Sequence, residues 1–210
     1  MERKTRPLNK KQLRSQATLE TLRAVVDKLV KELGFEKMHI RDICREAGIT
    51  PGTFYHYFSS KDDILFDRYH RANAFFNKLY DIRLKKMHEI DALKLFLKEF
   101  IKWERKRVIG VLIPFQRARL LYHAQWAERE RAATPDILLA LFKAGLEGGT
   151  IKPGFSPQQL SGFFVCFFDG MVINQCYSQG KSLVRPDSLE PLVQWLESLR
   201  VRETPRSVAQ

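Results

Sequence analysis

Apolar residues recur along this chain at helical spacing, and no other feature narrows the fold so far. Leu22, Val25, Val26, Leu29, Val30 and Leu33 lay a continuous stripe on one helix face, and Leu93, Phe96, Leu97, Phe100 and Ile101 do the same farther on. No hairpin dipeptide joins two alternating apolar runs, so the expected fold class is all-α. The 210 residues are enough for one substantial core or for a small module joined to a larger one. Lys and Arg number 36 against 24 Asp and Glu, a formal charge of +12 that attracts nucleic acid, anionic membrane or acidic ligands.

Several classes drop out early. The most apolar stretch, Phe163 to Ile173, is broken by Asp169 and is far short of the ~20 residues of a spanning helix, so no membrane span is expected. The basic start, Met1 to Arg14, leads into no apolar run, which argues against a secretory signal and for a cytoplasmic protein. Cys44, Cys166 and Cys176 form no CxxC pair and read as buried, reduced packing residues. The histidines His39, His56, His70, His88 and His123 lack metal-ligand spacing, and there is no nucleotide or hydrolase fingerprint. No catalytic residue, metal or cofactor is therefore expected.

Stop and start signals divide the chain. Gly34 ends the first stripe, a short helix from about His39 to Ala47 stops at Gly48, and Thr50 with Pro51 caps and opens another that reaches Phe58. Ser60, with Asp63 in capping-box spacing, starts the next helix. Gly110 and Pro114 punctuate the end of the second stripe, and Thr134-Pro135 reads as a further cap. Ser156-Pro157-Gln158-Gln159 opens a long helix, about 156–179, and Asp187 with Glu190 opens a last one, about 187–200, carrying Leu189, Leu192, Val193, Leu196 and Leu199. The expected domains are a basic, disordered arm over 1–14, a reader over 15–65, a larger helical domain over 66–201 and a disordered tail over 202–210.

Two short helices joined by Gly48-Ile49-Thr50 have the layout of a helix-turn-helix, whose second helix enters the major groove of DNA. Such pairs also serve as plain structural corners. On the second helix Phe54 and Phe58 share one face while Gly52 and His56 project opposite, flanked by Thr53 and Tyr55. Glycine permits close backbone approach, and hydroxyl and imidazole groups bond to phosphates or base edges. Tyr57 lies beside the inward face, with its hydroxyl expected to reach outward. Arg3, Lys4, Arg6, Lys10, Lys11 and Arg14 form an arm that can follow the DNA backbone or remain solvated.

Gly34-Phe35, Ile40-Arg41-Asp42-Ile43, Glu46-Ala47-Gly48-Ile49 and Gly52-Thr53-Phe54-Tyr55-His56-Tyr57-Phe58-Ser59-Ser60-Lys61 resemble the signature of the TetR family of transcriptional regulators over about residues 15–65. The resemblance implies a DNA-binding homodimer, commonly a repressor released by a small molecule. It places Arg41, Thr53, Tyr55, His56, Tyr57 and Lys61 at operator-contacting positions, which Thr50 and Gly52 complete from the helix start. His39 departs from the Ser or Thr usual at its position. The resemblance also implies a four-helix bundle between subunits, built from the last two helices of each.

The long helix after Ser156 is apolar nearly all round, so it needs covering on more than one side. A symmetry mate or a single large core would serve. Phe100, Trp103, Phe115, Arg119, Tyr122, Phe142, Phe167 and Asn174 are candidates to line a ligand cavity, or else filled core. The larger domain is basic, with Arg105-Lys106-Arg107 and Arg117 among its charges, which points either to an anionic effector or to a solvated basic face. The rival readings are a DNA-packaging protein indifferent to sequence and a helical enzyme acting on a small metabolite.

Overall fold

The computed structural model describes residues 9–105, 109–129, 132–178 and 189–201. Among these the helices are α1 (Lys10–Leu33), α2 (Ile40–Ala47), α3 (Pro51–Tyr57), α4 (Asp63–Ile82), α5 (Glu89–Arg105), α6 (Ile109–Arg129), α7 (Ala133–Glu147), α8 (Pro157–Tyr177) and α9 (Glu190–Ser198). A 3-10 turn, Leu84–Lys86, precedes α5. The one extended pairing among the described residues is an isolated bridge between Ile151 and Arg200, so the all-α expectation holds. No helix among them is long and apolar enough to cross a membrane.

The chain divides into two compact units. One holds the residues up to Asp67 together with Gly110–Leu121, and the other holds the rest. This differs from the unbroken second domain expected over 66–201. The expectation took Pro114 as a break, whereas α6 runs through it. Proline there removes one backbone bond near the helix start, and the burial of Leu112, Phe115 and Ala118 on either side keeps the helix continuous.

In the first unit, Leu22, Val26, Leu29 and Val30 of α1 are buried with Met38, Ile43, Cys44, Phe54 and Phe58. Two glycines set the chain direction. Gly34 has φ 79 and Gly48 sits in the left-handed region at φ 65, ψ 33, conformations that cost a side chain dearly. The Arg23 guanidinium grips Asp67 through two hydrogen bonds, at 3.1 and 2.5 Å.

The start of α1 corrects the disordered arm expected over 1–14. Asn9 Oδ1 accepts from the Gln12 amide at 2.9 Å, and Gln12 Oε1 accepts from the Asn9 amide at 2.9 Å. This capping box satisfies two otherwise orphaned donors, so Lys10, Lys11 and Arg14 are exposed residues of a helix. Arg3, Lys4, Arg6 and the 202–210 tail lie outside the described residues, as do Asp187, Lys106 and Arg107. The start of α4 also shifts, from Ser60 to Asp63. Ser60 Oγ accepts from the Asp63 amide at 3.1 Å, while the Asp63 carboxylate accepts from Ser59 rather than from Ser60.

The second unit is built on aromatic packing. Phe100 stacks on Phe168 at 4.2 Å between ring centroids, Phe75 on Trp103 at 4.8 Å, and Phe142 meets Phe164 at 5.4 Å. Ser156 and Gln159 form the capping box that the sequence announces at the start of α8. Thr134 is no cap. Helix α7 starts at Ala133, whose amide donates to the buried Asn73 Oδ1 of α4 at 3.0 Å. At the C-terminal end Arg200 pairs with Asp91 at 2.6 Å and with Glu197 at 2.8 Å.

Candidate nucleic-acid interface

Helix α3 is short because its ends are fixed. The Thr50 backbone is extended, its Oγ1 accepts from the Thr53 amide at 3.2 Å, and Pro51 occupies the first helical position. A further hydrogen bond of 3.0 Å joins the Thr50 and Thr53 hydroxyls. Phe54 and Phe58 are the inward anchors, at 0% and 3% exposure. The opposite face is left to solvent. Gly52, Tyr55 and His56 are exposed, and Thr53 is half-buried beside them.

Gly52 carries information beyond its exposure. Among the described residues, and apart from the helix's own backbone, a Cβ built on it would meet nothing nearer than Thr50 Oγ1 at 3.8 Å. The fold therefore has room for a side chain here, and glycine in a helix costs about 0.5–1 kcal/mol relative to alanine.

Helix α2 presents Arg41 outward, and among the described residues no hydrogen bond or ion pair holds its guanidinium. The His39 amide donates to Asp42 Oδ2 at 3.2 Å, so the entry of α2 is closed through the Asp42 carboxylate. Lys28 of α1 bonds Glu46 of α2; that contact holds the Glu46 carboxyl below its usual range and raises the Lys28 ammonium.

Two of the expected contact residues are tied inside the protein. The Tyr57 hydroxyl, expected to reach outward, donates to the Ser15 carbonyl at 3.1 Å and lies 3.1 Å from Ser15 Oγ. The Lys61 ammonium donates to the carbonyls of Glu36 at 3.0 Å and Met38 at 3.1 Å, above the Phe35 ring at 4.7 Å. These two bonds occupy two of its three donors. Sequence reading missed Ser15, Glu36 and Met38 as partners, since they stand 42, 25 and 23 residues away and no local pattern marks them.

Residues 26–67 match the profile of the family described as bacterial regulatory proteins, tetR family. That segment contains α2, α3 and every residue of the exposed face just described. Over that segment the chain is similar to TetR-family regulators. Solved structures agree in fold. The transcriptional regulator FadR from Bacillus subtilis, in complex with stearoyl-CoA, is 20% identical with a TM-score of 0.68, covering 87% of this chain and 97% of that one. Reduced NemR from E. coli is 17% identical with a TM-score of 0.64, over 89% and 100%. NalD, the secondary repressor of the MexAB-OprM multidrug efflux pump in Pseudomonas aeruginosa, is 17% identical with a TM-score of 0.60, over 90% and 98%. No curated protein sequence matches the chain.

The candidate effector residues are divided between the two units. Phe115 and Arg119 belong to the first unit, and Phe100, Trp103, Tyr122, Phe142, Phe167 and Asn174 to the second. Phe100, Trp103 and Phe142 are engaged in ring contacts, while Tyr122 and Phe167 are half-buried and Asn174 is exposed. A groove of about 520 Å³ beside α9, lined by Lys94, Glu190, Val193, Gln194, Glu197, Ser198 and Arg200, contains none of the eight.

Proposed function

We propose that this regulator represses transcription as a homodimer on a palindromic operator, reading one half-site with each α3. The observation that carries this reading is the outer face of α3. Gly52 lies there with room for a Cβ, and Tyr55 and His56 are exposed above two buried phenylalanines. An exposed helical glycine that the chain itself does not require suits close approach by a partner's backbone. In this reading Tyr55 and Lys61 grip phosphates, Lys61 through its remaining donor, and Thr53 and His56 face base edges. Arg41 and Thr50 complete the contact surface, and Tyr57 holds α3 in place through Ser15. Lys10, Lys11 and Arg14 oppose the dipole at the start of α1, a cost that phosphate contact would offset.

Dimerisation is assigned to α8 and α9. Phe163, Ile173 and Tyr177 of α8 are exposed at 52%, 43% and 80%, so among the described residues the apolar outer face of that helix lacks a cover. A second copy supplies it, and the two-fold axis delivers two readers.

An apolar small molecule with an anionic group completes the proposal, binding the second unit and lowering operator affinity. That unit's aromatic content and the chain's basic excess support it, as does the fact that the FadR neighbour was solved with stearoyl-CoA. The ligand must prefer the conformation with misplaced readers, and coupling of about 1–3 kcal/mol is typical. Mobility-shift titration on a selected palindrome tests the DNA reading, and wild-type protein that favours no sequence would sink it. Calorimetry of a ligand with and without operator tests the switch, because linkage requires equal reciprocal effects.

A further inference from the structure

The segment between α1 and α2 is held by two cations that lie far from it in sequence. Lys61 bonds the carbonyl of Glu36 at 3.0 Å, and Arg117 Nη2 of α6 bonds the Glu36 carboxylate at 3.0 Å. Glu36 is thus fixed at both backbone and side chain. The next carbonyl that Lys61 holds, that of Met38, immediately precedes His39, the N-cap of α2. Met38 and Phe35 are buried on either side of Glu36, at 0% and 1% exposure. Independently of the ion pair, Gly110–Leu121 of α6 clusters with the reader's own residues.

We infer that Arg117 is a positioning residue for DNA reading: through Glu36 it fixes the entry of α2, and so the placement of Arg41 and of the turn into α3. The inference rests on the proposed DNA reading. Arg117 touches no DNA in this scheme. Its effect reaches the interface through Glu36 and the loop that Lys61 also grips. Both partners are well exposed, at 58% and 59%, so each latch is weak, and two act per dimer. A loss of roughly two- to tenfold in operator affinity follows when the latch is removed.

The sign of one variant separates this role from general electrostatics. Glu36→Ala removes a negative charge from the DNA-binding unit, so charge alone predicts tighter binding. The latch predicts weaker binding. The experiment measures affinity for a selected operator with the full chain as wild type, Glu36→Ala, Arg117→Ala and the double variant, with thermal melting to confirm folding. Expected are weaker binding in both single variants, a double variant no weaker than Arg117→Ala alone, and unchanged dimerisation. Tighter or unchanged binding by Glu36→Ala overturns the inference, as do additive losses in the double variant. If wild-type protein binds no selected sequence, the DNA reading itself fails and takes this inference with it.

Discussion

The Tyr57 hydroxyl donates to the Ser15 carbonyl at 3.1 Å, joining the last turn of α3 to the first turns of α1. A half-buried hydroxyl bonded in this way contributes about 0.5–1.5 kcal/mol. Tyr57→Phe should therefore lower the melting temperature and weaken operator binding together, because α3 loses its tie. Weaker binding at unchanged stability would place the hydroxyl on DNA instead.

Gly52 makes the opposite pairing of effects. Gly52→Ala should stabilise the protein by up to about 0.5–1 kcal/mol, since alanine is the better helix former and the site has room. Operator affinity should nonetheless fall at least tenfold, because the added methyl stands where the partner approaches. Denaturant unfolding and gel-shift titration of one preparation measure both. A variant that is more stable and binds equally well would remove Gly52 from the interface.

Ile173 tests the dimer. Its side chain is exposed on the outer face of α8, so Ile173→Glu should leave the fold intact while shifting the protein to monomer in sedimentation. Operator binding should be lost with the dimer. A variant that stays dimeric would move the interface elsewhere.

Glu197 supplies a pH dependence. Hydrogen bonds from Arg200 and then Lys94 bring its carboxyl from 4.5 down to about 2. A folded-state value below the unfolded one means a contribution fully present above about pH 4.5 and lost as pH falls toward about 2. Melting temperatures between pH 6 and 2.5 should fall less steeply for Glu197→Gln than for wild type. Parallel curves would show that the ionised Glu197 carboxylate adds nothing to folding.

The helical class, the α2–α3 turn and the start of α8 were legible because each is written in a few adjacent residues. Gly48 needs its left-handed backbone, and Ser156 and Gln159 cap each other three positions apart. What escaped depends on distant partners. Thr134 has the local form of a cap, yet the amide of Ala133 is satisfied by Asn73, 60 residues earlier. Lys61 has the form of a free phosphate ligand, yet two of its donors go to carbonyls at the entry of α2. Asn9 and Gln12 were a capping box hidden in a basic stretch, where charge outweighed the cap in the reading. Phe100 and Phe142 have helical spacing that suits cavity lining and core alike, and their ring contacts with Phe168 and Phe164 cannot be read from that spacing.

Selection of bound sequences from random DNA, followed by footprinting, tests the central claim most directly. The account predicts a palindrome protected as two half-sites whose centres lie about 10 base pairs, or a multiple of that, apart. It also predicts affinity that falls by about 1–3 kcal/mol for each altered base pair in a half-site. Protection spread evenly along the duplex, with affinity set by salt and indifferent to sequence, would contradict it.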